Sequence, residues 1–130
     1  MRLINACSVI SLVAFASSVV LAQDPVKVAA ANYKVILENA SVRILNVTYA
    51  AGAKSAMHQH PDSIAVSLTP ASVRFTMADG KSEDSEMAKE SGRYMPASTH
   101  SPANIGKGPV QAIVVEFKTP GPGKATLPAA

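Results

Sequence analysis

The chain has 130 residues and a formal net charge of +3, a length that favours a single domain. Its basic residues are scattered and only 5% of its residues are aromatic, so the composition gives no sign of a nucleic-acid-binding surface. The only cysteine is Cys7, which excludes an intrachain disulfide framework, so the fold must depend on its hydrophobic core.

The first 22 residues are typical of a secretory signal peptide. Arg2 precedes an apolar stretch without acidic residues, and Val20-Leu21-Ala22 offers a signal peptidase site. We therefore predict cleavage after Ala22, no stable membrane anchor, and a periplasmic or secreted protein. An uncleaved membrane anchor is the alternative, but serines interrupt the apolar stretch and no basic cluster follows it.

Residues 23–32 form a short lead-in, in which Ala29-Ala30-Ala31 could take a helical turn. From Tyr33 onward, short runs rich in branched residues alternate with Gly and Pro, which is typical of strands. A tail at 119–130, rich in Pro and Gly, is expected to be disordered. The strands are predicted at 33–38, 41–49, 58–60, 63–68, 72–77, 81–89, 93–95 and 110–118, with another short segment beginning at His100.

The strand pattern predicts an all-β sandwich or barrel with no long amphipathic helix. Ile64, Val66 and Leu68 alternate on one face of their strand. Asp79-Gly80 predicts a hairpin with a type I′ turn, and the charged return strand that follows is expected at a sheet edge. Gly52, Gly80 and Gly92 are expected in turns that require unusual φ values.

The chain contains three histidines, at positions 58, 60 and 100. Alternate residues of a strand share a face, so the imidazoles of His58 and His60 are expected to point the same way. If the fold brings His100 beside them, the three rings form a three-nitrogen metal cradle. No Gly-x-Ser-x-Gly, His-Glu-x-x-His or phosphate-binding glycine motif is present.

The spacing of these histidines resembles the two sequence motifs of the cupin family. In the first motif, Gly52 is followed after five residues by His58 and then by His60. The second motif is resembled by four residues in order: Gly92, Pro96, His100 and Asn104. The resemblance covers residues 41–118 and implies a cupin β-barrel, a double-stranded β-helix or jelly roll, at 33–118. It also implies that His58, His60 and His100 are metal ligands near one mouth of the barrel.

The sequence departs from the family pattern in two places. The cupin first motif usually continues to a glutamate ligand, but the candidate positions hold Ser63, Ile64 and Ala65. The second motif is one residue shorter than usual between Pro96 and His100. Asp62 or Glu116 could supply a fourth ligand, and Glu116 could instead face solvent. Asn104 could orient His100 or cap a loop, and the loop role is favoured.

Three histidines alone leave two or three coordination positions open. Some cupin dioxygenases that act on thiols use a three-histidine iron site, so the resemblance is compatible with an oxygenase, and a lyase or isomerase acting on a small organic substrate also fits. Iron, zinc, copper, nickel and manganese all accept imidazole ligands, so the sequence does not identify the metal. The alternative is a non-catalytic module that binds a small ligand or a metal, or a barrel that no longer binds metal. A homodimer formed by strand exchange is a further expectation from the resemblance.

Overall fold

The computed structural model describes residues 23–119. The predicted signal peptide, the alternative membrane anchor and residues 120–130 of the predicted tail lie outside this range. Within it, no helix is long and apolar enough to cross a membrane. More than half of the described residues lie in strands and very few in helix, as the sequence predicts.

The described range contains nine strands and one short helix. Each predicted strand is present, and its ends differ from the predicted ends by two residues at most. The predicted segment beginning at His100 is part of a longer strand. In chain order the elements are α1 (Pro25–Val28), β1 (Tyr33–Glu38), β2 (Val42–Tyr49), β3 (His58–His60), β4 (Ser63–Ser67), β5 (Ala71–Met77), β6 (Ser82–Met87), β7 (Gly92–Met95), β8 (Ser98–Asn104) and β9 (Val110–Phe117).

A short helix, α1, precedes the turn that the sequence predicts at Ala29-Ala30-Ala31. Asp24 caps α1 by accepting a hydrogen bond from the backbone N–H of Val26, and Pro25 occupies the first turn. Both residues favour a helix start, whereas alanine offers no capping group. A hydrogen-bonded turn also forms at Ala29-Ala30-Ala31, as the sequence allows. Ala29 ends α1, and its carbonyl accepts hydrogen bonds from the backbone N–H groups of Asn32 and Tyr33.

Two antiparallel sheets enclose the core. One has the order β1-β2-β9-β4-β7 and the other the order β3-β8-β5-β6. The long central pair β2–β9 is continuous from Val42 opposite Phe117 to Tyr49 opposite Val110. As predicted, β6 is a polar strand at a sheet edge. The apolar core between the sheets contains nine buried residues: Ala29, Tyr33, Leu45, Val47, Tyr49, Ala65, Ala71, Val110 and Val114.

Strand β4 has its larger apolar residues on the outer face. Ile64 and Val66 are half-buried there, and Leu68 lies just beyond the strand and is exposed. The buried inner positions are Ser63, Ala65 and Ser67. The alternation is as predicted, but the inner face is the one with small residues, which leaves space inside the molecule.

Two predicted turns differ in detail. Only Gly80 has a positive φ, 84°, at the β5–β6 hairpin, and its N–H donates to the carbonyl of Met77. A type I′ turn needs positive φ at Asp79 as well, so that prediction is wrong although the hairpin forms. Gly52 has φ of 76°, as expected, whereas before β7 the positive φ is found at Glu90 rather than Gly92.

Candidate metal centre

The three histidines lie together on neighbouring strands. His58 on β3 is directly opposite His100 on β8, and His60 lies on the same face of β3. The side chains are buried, with 0%, 5% and 3% exposure for His58, His60 and His100. Each offers one ring nitrogen such that all three nitrogens lie within 4.8 Å of one another. The fold therefore brings together all three residues that the sequence singles out.

One nitrogen of each ring already has a hydrogen-bond partner. Nδ1 of His58 is 2.8 Å from the carbonyl oxygen of Ala56, and Nδ1 of His60 is 2.6 Å from Oε1 of Glu116. Because a carbonyl and a carboxylate only accept, these Nδ1 atoms carry the hydrogens. Nδ1 of His100 is 3.1 Å from the Ser98 hydroxyl, which can accept in the same way. In the neutral rings of His58 and His60 this arrangement leaves Nε2 with a lone pair, and Nε2 of His100 has one when its Nδ1 donates to Ser98.

The Nε2 atom of His58 is the one fully buried side-chain nitrogen or oxygen in residues 23–119 that has no hydrogen-bond partner. Buried polar atoms are nearly always paired, so this one requires an explanation. A metal ion bound by the three Nε2 atoms would provide it. Three imidazoles oriented through Nδ1 are a donor set that zinc, copper, nickel and iron accept.

Burial keeps two of the imidazoles uncharged. Desolvation lowers the pKa of His58 to about 4, and the hydrogen bond to the Ala56 carbonyl opposes this shift only partly. Desolvation and the neighbouring His60 and His58 lower the pKa of His100 to about 3. Neutral imidazole is the form that binds a metal, so these two ligands are ready to bind at neutral pH.

Glu116 points inward and is only 2% exposed, but it is not placed as a ligand. Its Oε1 accepts from His60, and its Oε2 accepts from Nε of Arg43 at 2.6 Å. Arg43 also donates to Asp24 at 2.7 Å, so a chain of alternating charges leads from the centre to the partly exposed Asp24. Burial alone would raise the pKa of Glu116, but its bonds to His60 and Arg43 lower it, so the carboxyl stays ionised.

The other candidate ligand, Asp62, lies outside the cluster. Its carboxylate accepts a hydrogen bond from the backbone N–H of Ala97. Across the described part of the chain, the group of potential metal ligands at this centre contains the three histidines and no carboxylate. The structure therefore places neither of the two proposed fourth ligands in the cluster.

Two buried tyrosines lie near the centre and were not predicted from the sequence: Tyr33 contacts two of the histidines, and Tyr49 contacts Tyr33. The ring centroid of Tyr33 is 5.0 Å from that of His58 and 5.5 Å from that of His60. The Tyr49 hydroxyl donates to the Tyr33 hydroxyl at 3.0 Å and also shares a hydrogen bond of 2.6 Å with Ser55. Burial raises the pKa of both tyrosines, so both hydroxyls are protonated at neutral pH. Their positions in predicted strands carried no signal that distinguished them from ordinary core aromatics.

Asn104 has the loop role that the sequence favoured. Its amide nitrogen donates to the carbonyl oxygens of Tyr49, Ala50 and Gly108, and its Oδ1 accepts from the N–H of Gly106. These bonds hold the β8–β9 loop against the end of β2. No hydrogen bond joins it to His100.

A cavity of about 80 Å³ lies between the sheets, with His60 and His100 in its wall. Small side chains make room for it, including Ser63, Ser67 and Ala71. Apart from the two histidines, Tyr33, Tyr49 and the serines, its walls are apolar. The apolar wall residues are Val47, Ala71, Val73, Phe75, Met87, Met95, Pro102, Val110, Ala112 and Val114.

Neither a protein-family model nor a curated protein matches the sequence. Solved structures do match the fold. A cupin domain from Bordetella pertussis Tohama I has a TM-score of 0.62 at 19% identity, over 67% of this chain and 92% of its own.

Two further structures agree with this likeness. An RmlC-like cupin family protein with a double-stranded β-helix fold from Methanocaldococcus jannaschii has a TM-score of 0.53 at 14% identity, over 65% of this chain and 77% of its own. An uncharacterized conserved protein with a double-stranded β-helix domain from Klebsiella pneumoniae has a TM-score of 0.53 at 18% identity, over 68% and 78%. At these identities the likeness concerns the fold alone.

Proposed function

We propose that this chain, which has the cupin fold, binds a divalent transition metal through Nε2 of His58, His60 and His100 and presents it to a small organic molecule. The fold is the all-β cupin barrel that the sequence motifs predict. The observation that carries the proposal is the convergence of three buried imidazoles whose Nδ1 atoms are already engaged, with Nε2 of His58 left without a partner.

The protein residues around the centre have distinct parts in this proposal. The three imidazoles would hold the metal through Nε2, and Glu116 fixes the ring of His60 and brings a negative charge close to the centre. Arg43 holds the second oxygen of that carboxylate away from the histidines. When bound, the metal supplies Lewis acidity at open coordination positions and, if it is iron or copper, redox chemistry as well.

The cavity favours oxygenase chemistry over lyase or isomerase chemistry. A lyase or isomerase needs a side chain that transfers a proton to or from the substrate. No Asp, Glu, Lys or Arg lines the cavity, and its two tyrosines have raised pKa values and bond to one another. An oxygenase depends less on such a group because the metal and oxygen carry the chemistry.

A non-catalytic binding module is the second candidate, and the same apolar lining favours it. A site that only holds a metal and a small ligand needs no proton-transfer group at all. Export is part of both proposals, since residues 1–22 have the features of a signal peptide. In that setting copper and zinc are the occupants that divalent affinity favours.

Metal analysis of the full chain, expressed with its own leader, tests the metal site. We expect about one metal ion per chain in the wild type and in Gln59→Ala, because Gln59 lies between the two histidines but points to the opposite, exposed face. His58→Ala and His100→Ala should lose most of this metal while keeping the β-rich circular dichroism spectrum. Equal metal contents in all four proteins would overturn the proposal.

An oxygen electrode separates the two candidates. The metal-loaded protein is screened with small thiols and 1,3-diketones. Oxygen uptake that His58→Ala abolishes and Gln59→Ala retains supports an oxygenase. No uptake with any compound, from a protein that holds its metal, supports the binding module.

A further inference from the structure

We propose that the cavity receives the hydrocarbon part of a small monofunctional ligand, whose single donor group binds at the metal's open positions. This inference rests on the proposed metal site and names the class of molecule that the site accepts. Such a ligand has one lone-pair or anionic head and a short, uncharged, apolar tail.

The chemistry of the walls restricts the tail. No charged side chain lines the cavity, and most of its lining groups are hydrocarbon or thioether side chains such as Phe75, Met87 and Met95. A second charged group on the ligand would be buried without a partner, which is strongly unfavourable. Apolar groups gain free energy on entering such a space, so the walls select for hydrocarbon.

Apart from the Ser63 hydroxyl, the polar groups of the walls lie at the histidines or already form hydrogen bonds. The hydroxyls of Tyr33 and Tyr49 bond to each other, and the Ser67 hydroxyl donates to the carbonyl of Thr69. Both carboxylate oxygens of Glu116 accept hydrogen bonds, one from His60 and one from Arg43, and Glu116 does not line the cavity. A single polar head directed toward His60 and His100 therefore matches the site.

The size of the cavity limits the length of the tail. A volume of about 80 Å³ corresponds to roughly three groups of the size of a water molecule or a methylene. Met87 and Met95 are half-buried residues at the ends of β6 and β7. Each of these strands lies at one edge of its sheet. Their flexible side chains can adapt to a somewhat longer or branched tail.

Xenon binding to the metal-free full chain tests the cavity without the metal, because xenon enters dry apolar cavities. We expect the xenon-129 chemical shift to report binding in the wild type. Ala71→Leu adds three carbon atoms at a buried cavity position and should abolish it. Ala78→Leu, the same change at an exposed turn residue, should retain it. Ala112→Leu is a second filling variant if Ala71→Leu does not fold.

The second arm uses cobalt(II)-loaded protein and straight-chain carboxylates from acetate to octanoate, followed by the cobalt absorption spectrum. Each added methylene should tighten binding about fourfold until the tail has roughly three carbon atoms, as in butyrate, and longer chains should gain no more. In Ala71→Leu this dependence on chain length should disappear, whereas Ala78→Leu should match the wild type.

The outcomes separate this inference from the proposed function. Metal binding without xenon binding, or with affinities independent of chain length, overturns the apolar cavity and leaves the metal site intact. Xenon binding in a protein that takes up no metal overturns the metal site and supports the cavity. Undiminished xenon binding in a folded Ala71→Leu variant also overturns the inference.

Discussion

Oε1 of Glu116 accepts a hydrogen bond from Nδ1 of His60 at 2.6 Å, although the two residues are separated by 56 positions in the sequence. The carboxylate is 2% exposed, and its other oxygen is held by Arg43. A buried carboxylate in this position fixes the orientation of an imidazole and increases its basicity. It also places a negative charge beside the three histidines of the proposed centre.

Glu116→Gln should weaken metal binding by about 10-fold to 100-fold, because His60 loses the negative charge that orients it. The affinity is measured by competition with a coloured chelator at pH 7. Glu83→Gln is the matched control, since Glu83 is an exposed carboxylate on β6. If the Glu116 and Glu83 variants bind metal with equal affinity, Glu116 has no part in the centre.

Arg43→Met should destabilise the fold strongly, because it leaves the Glu116 carboxylate buried without its cation. Removing one partner of a buried ion pair costs about 3–5 kcal/mol in the free energy of unfolding. Urea unfolding of the metal-free protein measures the change. Arg74→Met removes the exposed pair with Asp84 and should scarcely change the midpoint. Similar losses of unfolding free energy in the two variants would show that the Arg43–Glu116 pair contributes no more than an exposed ion pair.

The stability of the metal-free protein should fall as the pH decreases from about 6.5 to 4. The pKa values of His58 and His100 are about 4 and about 3 in the folded protein, below the usual value near 6.5 of an unfolded chain. In this window the unfolded state binds more protons, so acid favours unfolding. Each histidine adds up to about 1.4 kcal/mol per pH unit to the slope of the unfolding free energy against pH. Above pH 7 neither histidine adds to this slope.

Urea unfolding at several pH values tests this expectation after chelator treatment. His100→Gln should reduce the slope between pH 6.5 and 4.5 by about one proton, since glutamine does not titrate. If the free energy of unfolding of the wild type does not change across this window, His58 and His100 take up protons in the folded protein. That result would contradict the lowering of their pKa values by burial.

Asn104→Ala should lower the free energy of unfolding by about 1–3 kcal/mol, because the hydrogen bonds from its amide nitrogen to three backbone carbonyls are lost. The metal content should stay at the wild-type level, since Asn104 does not contact His100 through a hydrogen bond. Thermal unfolding and metal analysis of the same preparation check both statements. Loss of metal from a folded Asn104→Ala protein would assign this residue to the centre instead.

The histidines could be found from the sequence because their signal is local. His58 and His60 lie two residues apart on a short strand bounded by Pro61, and the second motif identifies His100. Glu116 could not be assigned in this way. Whether it faces solvent, ligates metal or supports His60 depends on Arg43 and on the β2–β9 register, which places Arg43 opposite Glu116. That register is a tertiary property.

The cavity was also hidden from the sequence. Alternation identified the apolar face of β4, but Ile64 and Val66 lie on the outer face of the sheet. There Ile64 has Tyr94 and Val115 as its neighbours on the adjacent strands. When both faces of a sheet carry apolar residues, period-two alternation does not tell which face is inside. Small inner residues such as Ser63 and Ser67, which leave the space, resemble ordinary polar surface positions in the sequence.

The most direct test of the metal centre uses histidine labelled with nitrogen-15. The chain has three histidines, so the spectrum of the metal-free protein contains three imidazoles. We predict that Zn²⁺ shifts the Nε2 signals of His58, His60 and His100 together and leaves all three Nδ1 atoms protonated. The shifts should be complete at one equivalent of Zn²⁺. Zinc that shifts fewer than three Nε2 signals, or binds through Nδ1, would contradict a three-histidine centre.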